Sequence, residues 1–572
     1  MKLLIVGGVA GGAAAAARAR RLDEAANIIM LERGEYVSFA NCGLPYYMGE
    51  VIKERDKLLV QSPKGLKNRF NIDVRVKNRA ESIDLKKKEV TVKDLSNGKT
   101  YLESYDYLIL SPGAEPIRPK FQGSSLDCVH TVRTIADIEA VKEKIDTKKA
   151  KKAVVIGAGF IGLEIAENLR ERGVETCLVE KTGQLMPPLD KEMAVILERE
   201  IIAHDVRLFL NEEVVSIEDD GIGCKVNTSS GKKIDTDIVI MAIGVSPEIQ
   251  LAEKAGLKIA HKGISVDNRM RTSNESVFAI GDAVEVKDPV LGNVRHVPLA
   301  GPAAKQALVA VHNIFGIDDE YQGSIGTAIV KVFNKTAAMT GANEKSLKEK
   351  NKVYNKVYTF PADHVGYYPG ASAMALKLLY EPETGIILGA QAIGKKGIDR
   401  KIDVLAVAVK QRLTIRDLSE LELCYAPPYG TSKDAINLAA MVALNHTRGL
   451  TELVHWENIT RENFLLDVRT PEEVKKGNVP NSIHIPVDEL RPRLKELPKA
   501  KKIFVFCQVG IRGHIACRML IQSGYDCANI SGGYLSFINY RDAFSSSKII
   551  ASQMELDSEI FCTGPTGEGN QG

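Results

Sequence analysis

Two copies of one local pattern, one beginning at Leu3 and the other at Ala153, constrain this 572-residue chain more than any other feature. In the first, Leu3-Leu4-Ile5-Val6 runs into Gly7-Gly8-Val9-Ala10-Gly11-Gly12. An alanine-rich stretch then ends in Arg18, Arg20 and Arg21, and Ile28-Ile29-Met30-Leu31 closes on Glu32-Arg33. In the second, Ala153-Val154-Val155-Ile156 runs into Gly157-Ala158-Gly159-Phe160-Ile161-Gly162, and Thr176-Cys177-Leu178-Val179 closes on Glu180. A continuous apolar run is a strand buried on both faces. A glycine turn opening a helix aims backbone N–H groups and the positive helix end at an anion. With an acid placed for a ribose hydroxyl, each unit has the βαβ length of a dinucleotide site. The second carries the full G-x-G-x-x-G, whereas the first has Val9 at the middle glycine position. The expected fold is α/β with two Rossmann-like domains and two nucleotides, one held tightly and one exchanging.

The runs Tyr107–Leu110 before Ser111-Pro112-Gly113-Ala114, Ile238–Gly244 and Val277–Ala283 repeat the buried-strand signature. Asp282 is placed for flavin ribityl hydroxyls, or alternatively for a helix N-cap. From 325 to 445 alternating strands give way to helices such as Asp399–Lys410; 446–460 reads as a linker, 461–548 as a compact α/β segment, and 549–572 as a tail disordered at its end. A net charge of +3 excludes a general nucleic-acid field. Nine cysteines without C-x-x-C pairs fit neither a disulfide scaffold nor a zinc site, so no metal is expected. The first apolar run is too short for a signal-peptide core or a membrane span, and a cytoplasmic enzyme with reduced thiols is expected.

Two cysteines have distinctive settings. Cys42 lies in Ser38-Phe39-Ala40-Asn41-Cys42-Gly43-Leu44-Pro45-Tyr46-Tyr47, and the next cysteine is Cys128. Cys507 opens the loop Cys507-Gln508-Val509-Gly510-Ile511-Arg512, after the strand Ile503–Phe506 and before a helix. Such a loop aims N–H groups at the sulfur and stabilises a thiolate or persulfide, with the charge of Arg512 beside it. Cys128, Cys177, Cys224, Cys424, Cys517, Cys527 and Cys562 lack such settings and are given no role.

On the paired glycine turns, Ser111–Ala114 and Ala279–Ala283, residues 1 to 445 resemble the two-dinucleotide flavoprotein disulfide reductases. Ser38–Gly43 is similar to the coenzyme A–disulfide reductase and NADH oxidase/peroxidase branch. The resemblance implies FAD on 1–150 and 271–324, at Gly7, Gly8, Ala10, Gly11, Gly12, Glu32, Arg33, Ser111, Gly113 and Asp282. It implies NAD(P)H on 151–270, at Gly157, Gly159, Phe160, Ile161, Gly162 and Glu180. NADH is favoured because Glu180 repels a 2′-phosphate, although Lys181 can offset this. An α+β dimerisation domain at 325–445 makes a homodimer.

Oxidases and peroxidases of the branch carry a histidine where this chain has Ala10. Gly366-Tyr367-Tyr368-Pro369 and Cys424-Tyr425-Ala426-Pro427-Pro428-Tyr429 resemble the coenzyme A–disulfide reductases, in which a tyrosine from each segment completes the sulfur site of the other subunit. The implied pair is Tyr367 and Tyr425, with Tyr368 and Tyr429 as neighbouring alternatives and an ordinary subunit interface as the other explanation. Ser38, Asn41, Arg18 and Arg21 are candidate coenzyme A contacts, with Arg20 in the same basic cluster. Leu466–Glu473 and Gly477–Pro486 resemble a rhodanese domain whose persulfide loop is Cys507–Arg512, with Asp467 and Arg469 structural. The expected activity is NAD(P)H-dependent reduction of coenzyme A disulfide, coenzyme A persulfide or polysulfide through a Cys42 mixed disulfide, with Cys507 handling sulfane sulfur. The alternatives are an NADH oxidase/peroxidase using a Cys42 sulfenic acid, and a non-enzymatic persulfide carrier or sensor.

Overall fold

The structure, a computed structural model, describes residues 1–147, 149–219, 221 and 223–544. The 549–572 tail, with Cys562, lies outside the described residues. The chain divides into two compact units, residues 1–181 with 212–324, and residues 182–211 with those from 325 onward.

In the first unit the strands Val277–Ala279, Tyr107–Leu110, Lys2–Val6, Asn27–Leu31 and Asp73–Arg75 lie side by side in that order, all parallel. Leu3, Leu4 and Ile5 are wholly buried, as a strand covered on both faces requires. The helix Ala10–Leu22 buries Ala15, Ala16 and Ala19, small side chains that let a helix lie close to a sheet. A second parallel sheet contains Glu175–Val179, Lys152–Ile156, Ile238–Met241 and Val129–Thr131 in that order. At both glycine turns the first glycine has a left-handed backbone, φ 99° at Gly7 and 100° at Gly157. A Cβ would meet Ser111 O at 2.0 Å at the first and Ala242 O at 2.5 Å at the second, so only glycine fits.

One expectation for this unit fails. Cys128 and Cys224, read as isolated small hydrophobes in a chain of reduced thiols, form a disulfide across 96 residues of sequence. The cause is tertiary. Gln122 bridges to Ser216, the strand Val214–Asp219 pairs with Cys224–Thr228, and Cys224 is thereby carried to the buried position of Cys128.

The second unit contains an antiparallel sheet ordered Ala328–Val332, Lys335–Gly341, Ile387–Gly394, Met374–Tyr380 and Asn355–Thr359. The helix Lys191–Ala203 packs on it, so this stretch of the expected nucleotide domain 151–270 is built into the second unit. A parallel sheet forms the C-terminal domain, in the order Glu452–Val454, Cys527–Ile530, Ile503–Phe506, Phe464–Asp467 and Ser482–His484. Residues 446–460 are therefore not a linker. Glu452–Val454 is an edge strand of this sheet, and Trp456 lies in its core beside Phe506 and Tyr534.

The two sheets of this unit are joined by polar contacts. Lys356 reaches both Glu344 and Glu457 at 2.9 Å, the Tyr358 N–H donates to Ser531 Oγ at 2.9 Å, and Arg199 binds Asn539 and Asp542. At the centre Lys377, with no exposed surface, pairs with Asp190 at 2.7 Å and also with Glu192 and Glu344. These three carboxylates have the spacing of a cation site, and the lysine ammonium is their cation. Replacing Lys377 by Met leaves buried carboxylates without a counter-charge and is expected to cost about 3–5 kcal/mol. The check is an earlier urea-unfolding transition followed by fluorescence of Trp456, the one tryptophan of the chain.

Candidate active sites

Both helices that follow the glycine turns, Ala10–Leu22 and Phe160–Glu171, begin without a side-chain cap. Their first-turn N–H groups are thus available to an anion such as a pyrophosphate. The terminal acids hold the turns themselves: Glu32 accepts from the Gly8 N–H at 2.8 Å, and Glu180 from the Ala158 N–H at 2.8 Å. Arg33 pairs with Glu115 and Glu248. Ser111 takes its place by donating its N–H to Val6 O at 2.8 Å, and its Oγ lies where a Cβ on Gly11 would sit, 2.7 Å away. Gly113 turns left-handed at φ 79°. Asp282 is in the 3-10 turn Gly281–Ala283 rather than at a helix N-cap. Its carboxylate has no hydrogen-bond partner among the described residues, and partial burial pushes its pKa up despite His296 and Arg133. Uncapped helix starts and an unpaired half-buried carboxylate are a donor and acceptor set that fits a flavin dinucleotide at the first turn. The second turn fits a pyridine nucleotide.

Cys42 sits in the 3-10 turn Asn41–Gly43, ahead of the helix Leu44–Met48. The Ser38 N–H donates to Gly8 O at 2.8 Å, which fastens the cysteine segment to the first glycine turn. Asn41 Oδ1 accepts from the Cys42 N–H at 3.1 Å. Cys42 is exposed, and neighbouring protein atoms still desolvate its sulfur. That desolvation, followed by the charges of Glu164 and Asp282, holds the thiol above its ordinary range.

Sequence reasoning missed Glu164 and Tyr46. Tyr46, four residues after Cys42, donates to Glu164 Oε1 at 3.2 Å from the nucleotide helix Phe160–Glu171. Desolvation is the main cause that raises Glu164 to about 7. No glycine or cap marks either residue; only the packing of Leu44–Met48 on that helix brings them together.

Tyr367 and Tyr425 come from separate loops, and their hydroxyls meet at 3.1 Å. The loops are tied by the Val365 N–H donating to Gly430 O. Tyr367 is 74% exposed and Tyr425 47%, so both phenols face outward from the protomer. Tyr368 instead stacks edge-on against His364, and Tyr429 is an exposed neighbour. Of the basic cluster, Arg21 is exposed, and Arg18 donates to His312 Nε2 at 2.6 and 3.0 Å. His312 Nδ1 lies 2.8 Å from Asp319, and because Arg18 can only donate, Nδ1 carries the proton. Arg20 does not belong with them. It is buried and donates to the carbonyls of Phe70, Asp23, Glu24, Ala26 and Asn71, which makes it a structural brace.

At the second sulfur centre Cys507 has no exposed surface, and its Sγ accepts from the Gly510 N–H at 3.1 Å. Gly510, at φ 103°, opens the helix Ile511–Gln522 without a side-chain cap. Tyr534 and Leu535 donate their N–H groups to the carbonyls of Cys507 and Gln508. Gln508 Oε1 is buried with no hydrogen-bond partner. Val509 is half-buried, and Ile511 is 51% exposed at the rim. Arg512 contacts Cys507, but its Nη2 also binds both oxygens of Glu473, at 2.6 and 2.7 Å. Beneath the loop, Arg469 is wholly buried, paired with Asp467 and stacked on Tyr534.

Two nucleotide-binding modules with one solitary thiol fastened to the first, and a persulfide-type loop on a separate domain, define a redox protein of sulfur chemistry. Residues 1–313 match the pyridine nucleotide-disulphide oxidoreductase family, and the chain belongs to it. Residues 327–435 match that family's dimerisation domain and residues 450–540 a rhodanese-like domain. The coenzyme A disulfide reductase of Staphylococcus aureus strain JH9 is 36% identical over 439 residues, spanning 76% of this chain and 98% of that protein. The crystal structure of reduced CoADR-RHD of Bacillus anthracis aligns with a TM-score of 0.92 at 46% identity, covering 94% of this chain and 98% of that one. An NAD-dependent persulfide reductase of A. fulgidus aligns with a TM-score of 0.89 at 38% identity, over 94% and 100%. Among the described residues no helix is long and apolar enough to cross a membrane.

The charge environment of Cys42 gives a directional expectation. Glu164 is ionised in the alkaline range where Cys42 deprotonates, so Glu164→Gln removes a charge that opposes the thiolate. The pH midpoint for alkylation of Cys42 by iodoacetamide is expected to fall by about 0.5–1 unit, measured by peptide mass spectrometry. An unchanged midpoint means that Glu164 does not act on the sulfur.

Proposed function

We propose that this chain is an FAD-dependent, NADH-preferring reductase of coenzyme A disulfide and of coenzyme A persulfide or polysulfide, with a rhodanese centre that handles sulfane sulfur. The observation that carries the reading is the isolation of Cys42 at the first glycine turn. The next cysteine in sequence, Cys128, is bonded to Cys224, and Cys177 is buried in its sheet. Cys42 therefore pairs with a sulfur that arrives from outside. FAD at the first turn and NADH at the second supply, when bound, the two electrons that reopen a Cys42 mixed disulfide.

The chain's own residues do the rest. The Cys42 thiolate attacks coenzyme A disulfide, forms Cys42–S–S–CoA and expels one coenzyme A thiolate. With coenzyme A persulfide it attacks the inner sulfur, forms the same mixed disulfide and expels hydrosulfide. Tyr367 and Tyr425, contributed by the other subunit of a homodimer, donate hydrogen bonds to the departing thiolate. Ser38, Asn41, Arg18 and Arg21 hold coenzyme A, and the His312–Asp319 pair orients Arg18.

NADH is preferred because the buried Glu180 disfavours a 2′-phosphate. Lys181, which might have offset that charge, is 2.8 Å from Glu213. Ala10, the first residue of its helix, offers no acid or base for peroxide. The expected compartment is the cytoplasm, where Cys42 stays reduced.

Anaerobic stopped-flow NADH oxidation with coenzyme A disulfide, coenzyme A persulfide, polysulfide and hydrogen peroxide tests the proposal. Turnover is expected with the sulfur substrates and not with peroxide, and Cys42→Ser should lose about 1000-fold or more in kcat/KM. Full turnover by Cys42→Ser would overturn it. Cys507→Ser should keep coenzyme A disulfide reduction within about twofold, because that substrate carries no sulfane sulfur for a rhodanese cysteine to accept.

A further inference from the structure

The Cys507 loop is unusual in how its cation is employed. A persulfide loop gains positive potential from its helix N-terminus and its arginine. Here Arg512 is shared, because one of its nitrogens is bonded to both carboxylate oxygens of Glu473 while the same guanidinium contacts Cys507. Glu473 is fixed in place: the Thr470 N–H donates to its Oε2 at 2.9 Å, and its own N–H donates to Thr470 Oγ1 at 3.3 Å, a capping box on the helix Pro471–Lys475. The neighbouring cation brings no help. Arg469 is fully engaged by Asp467 and by the carbonyls of Glu473 and Gly477. The side chains beside the sulfur thus include one positive and one negative group, leaving the backbone N–H groups as the main anion donors.

We infer that Glu473 is a specificity-determining residue of the Cys507 centre, selecting sulfane-sulfur donors of low charge at the reacting end, alkyl persulfides above all, against dianionic thiosulfate. The inference rests on reading this domain as a sulfur-transfer site. The two reactions differ in charge. With an alkyl persulfide, the Cys507 thiolate attacks the terminal sulfur, the S–S bond of the donor breaks, and RS⁻ leaves with the electron pair. The products are Cys507–S–SH and a thiolate, and the reacting groups carry one negative charge throughout. With thiosulfate, the same attack yields Cys507–S–S⁻ and sulfite, and three negative charges gather at a site whose single arginine is already paired. Like charges at this range repel strongly where protein excludes water.

The test is the rate of persulfide formation on Cys507 in the full-length, FAD-loaded protein without NADH, read by peptide mass spectrometry. The donors are thiosulfate and the persulfide of 2-mercaptoethanol generated in situ. Glu473→Gln keeps the size and the capping geometry but removes the charge. It is expected to raise the thiosulfate rate by about tenfold or more and to leave the alkyl persulfide rate within about threefold. A thiosulfate rate that is unchanged, or that falls together with the persulfide rate, overturns the inference.

A second measurement on the unaltered protein needs no variant to fold and no sulfur transfer to occur. The rate of Cys507 labelling by anionic iodoacetate, relative to neutral iodoacetamide, should rise as salt is increased, because screening relieves a repulsion. A ratio that falls with salt marks an attractive site and refutes the role of Glu473. If neither donor persulfidates Cys507 while the labelling ratio rises, the sulfur-transfer reading fails and the charge selection stands.

Discussion

Unsatisfied N–H groups at a helix start are the constraint on which this molecule is organised. The device recurs three times with nearly the same backbone: a buried strand, a glycine at φ 99°, 100° or 103°, and a helix with no side-chain cap, at Gly7, Gly157 and Gly510. A serine or aspartate at the cap would satisfy the donors internally and close the site. Leaving it out costs local helix stability and keeps the donors for an anion. Parallel sheets permit this, because each strand delivers its turn to the same edge and the buried apolar run beneath holds the turn rigid.

Acidic side chains then divide the labour between the two sulfur centres. At Cys42 the carboxylates of Glu164 and Asp282 act directly on the thiol, and Tyr46 couples one of them to the nucleotide helix. At Cys507 the carboxylate acts through the arginine. Neither arrangement maximises thiolate character. Both suit a cysteine that exchanges sulfur in either direction, for which a strongly stabilised thiolate is a poor nucleophile and too good a leaving group.

Much of this was legible in the sequence, because it depends on local pattern. The apolar runs at Leu3, Ile28, Ala153 and Thr176 are strands where expected, and Tyr367 and Tyr425 do come together. What could not be read depends on distant segments meeting. Cys128 and Cys224 are joined through a sheet register, and Glu164 reaches Tyr46 through helix packing. The second unit includes the helix Lys191–Ala203 because Asp190 is needed beside Lys377. Arg20 resembled its exposed neighbours in composition and differed only in facing inward. Glu473 sat within a stretch noted for its likeness to a rhodanese, yet its role depends on Arg512, far along the chain.

The edge strand Glu452–Val454 bears on how the C-terminal domain can be handled apart from the rest. A domain cut at residue 461, where composition placed its start, would lose this strand and the Trp456 anchor together. The Cys527–Ile530 strand would then present an open row of N–H and C=O groups beside a hollow in the core. Such a fragment would pair edge to edge with its own kind. Its behaviour would report on exposed backbone rather than on sulfur chemistry. The boundary that respects the fold lies before Thr451, in the turn that follows the helix Ala435–Thr447.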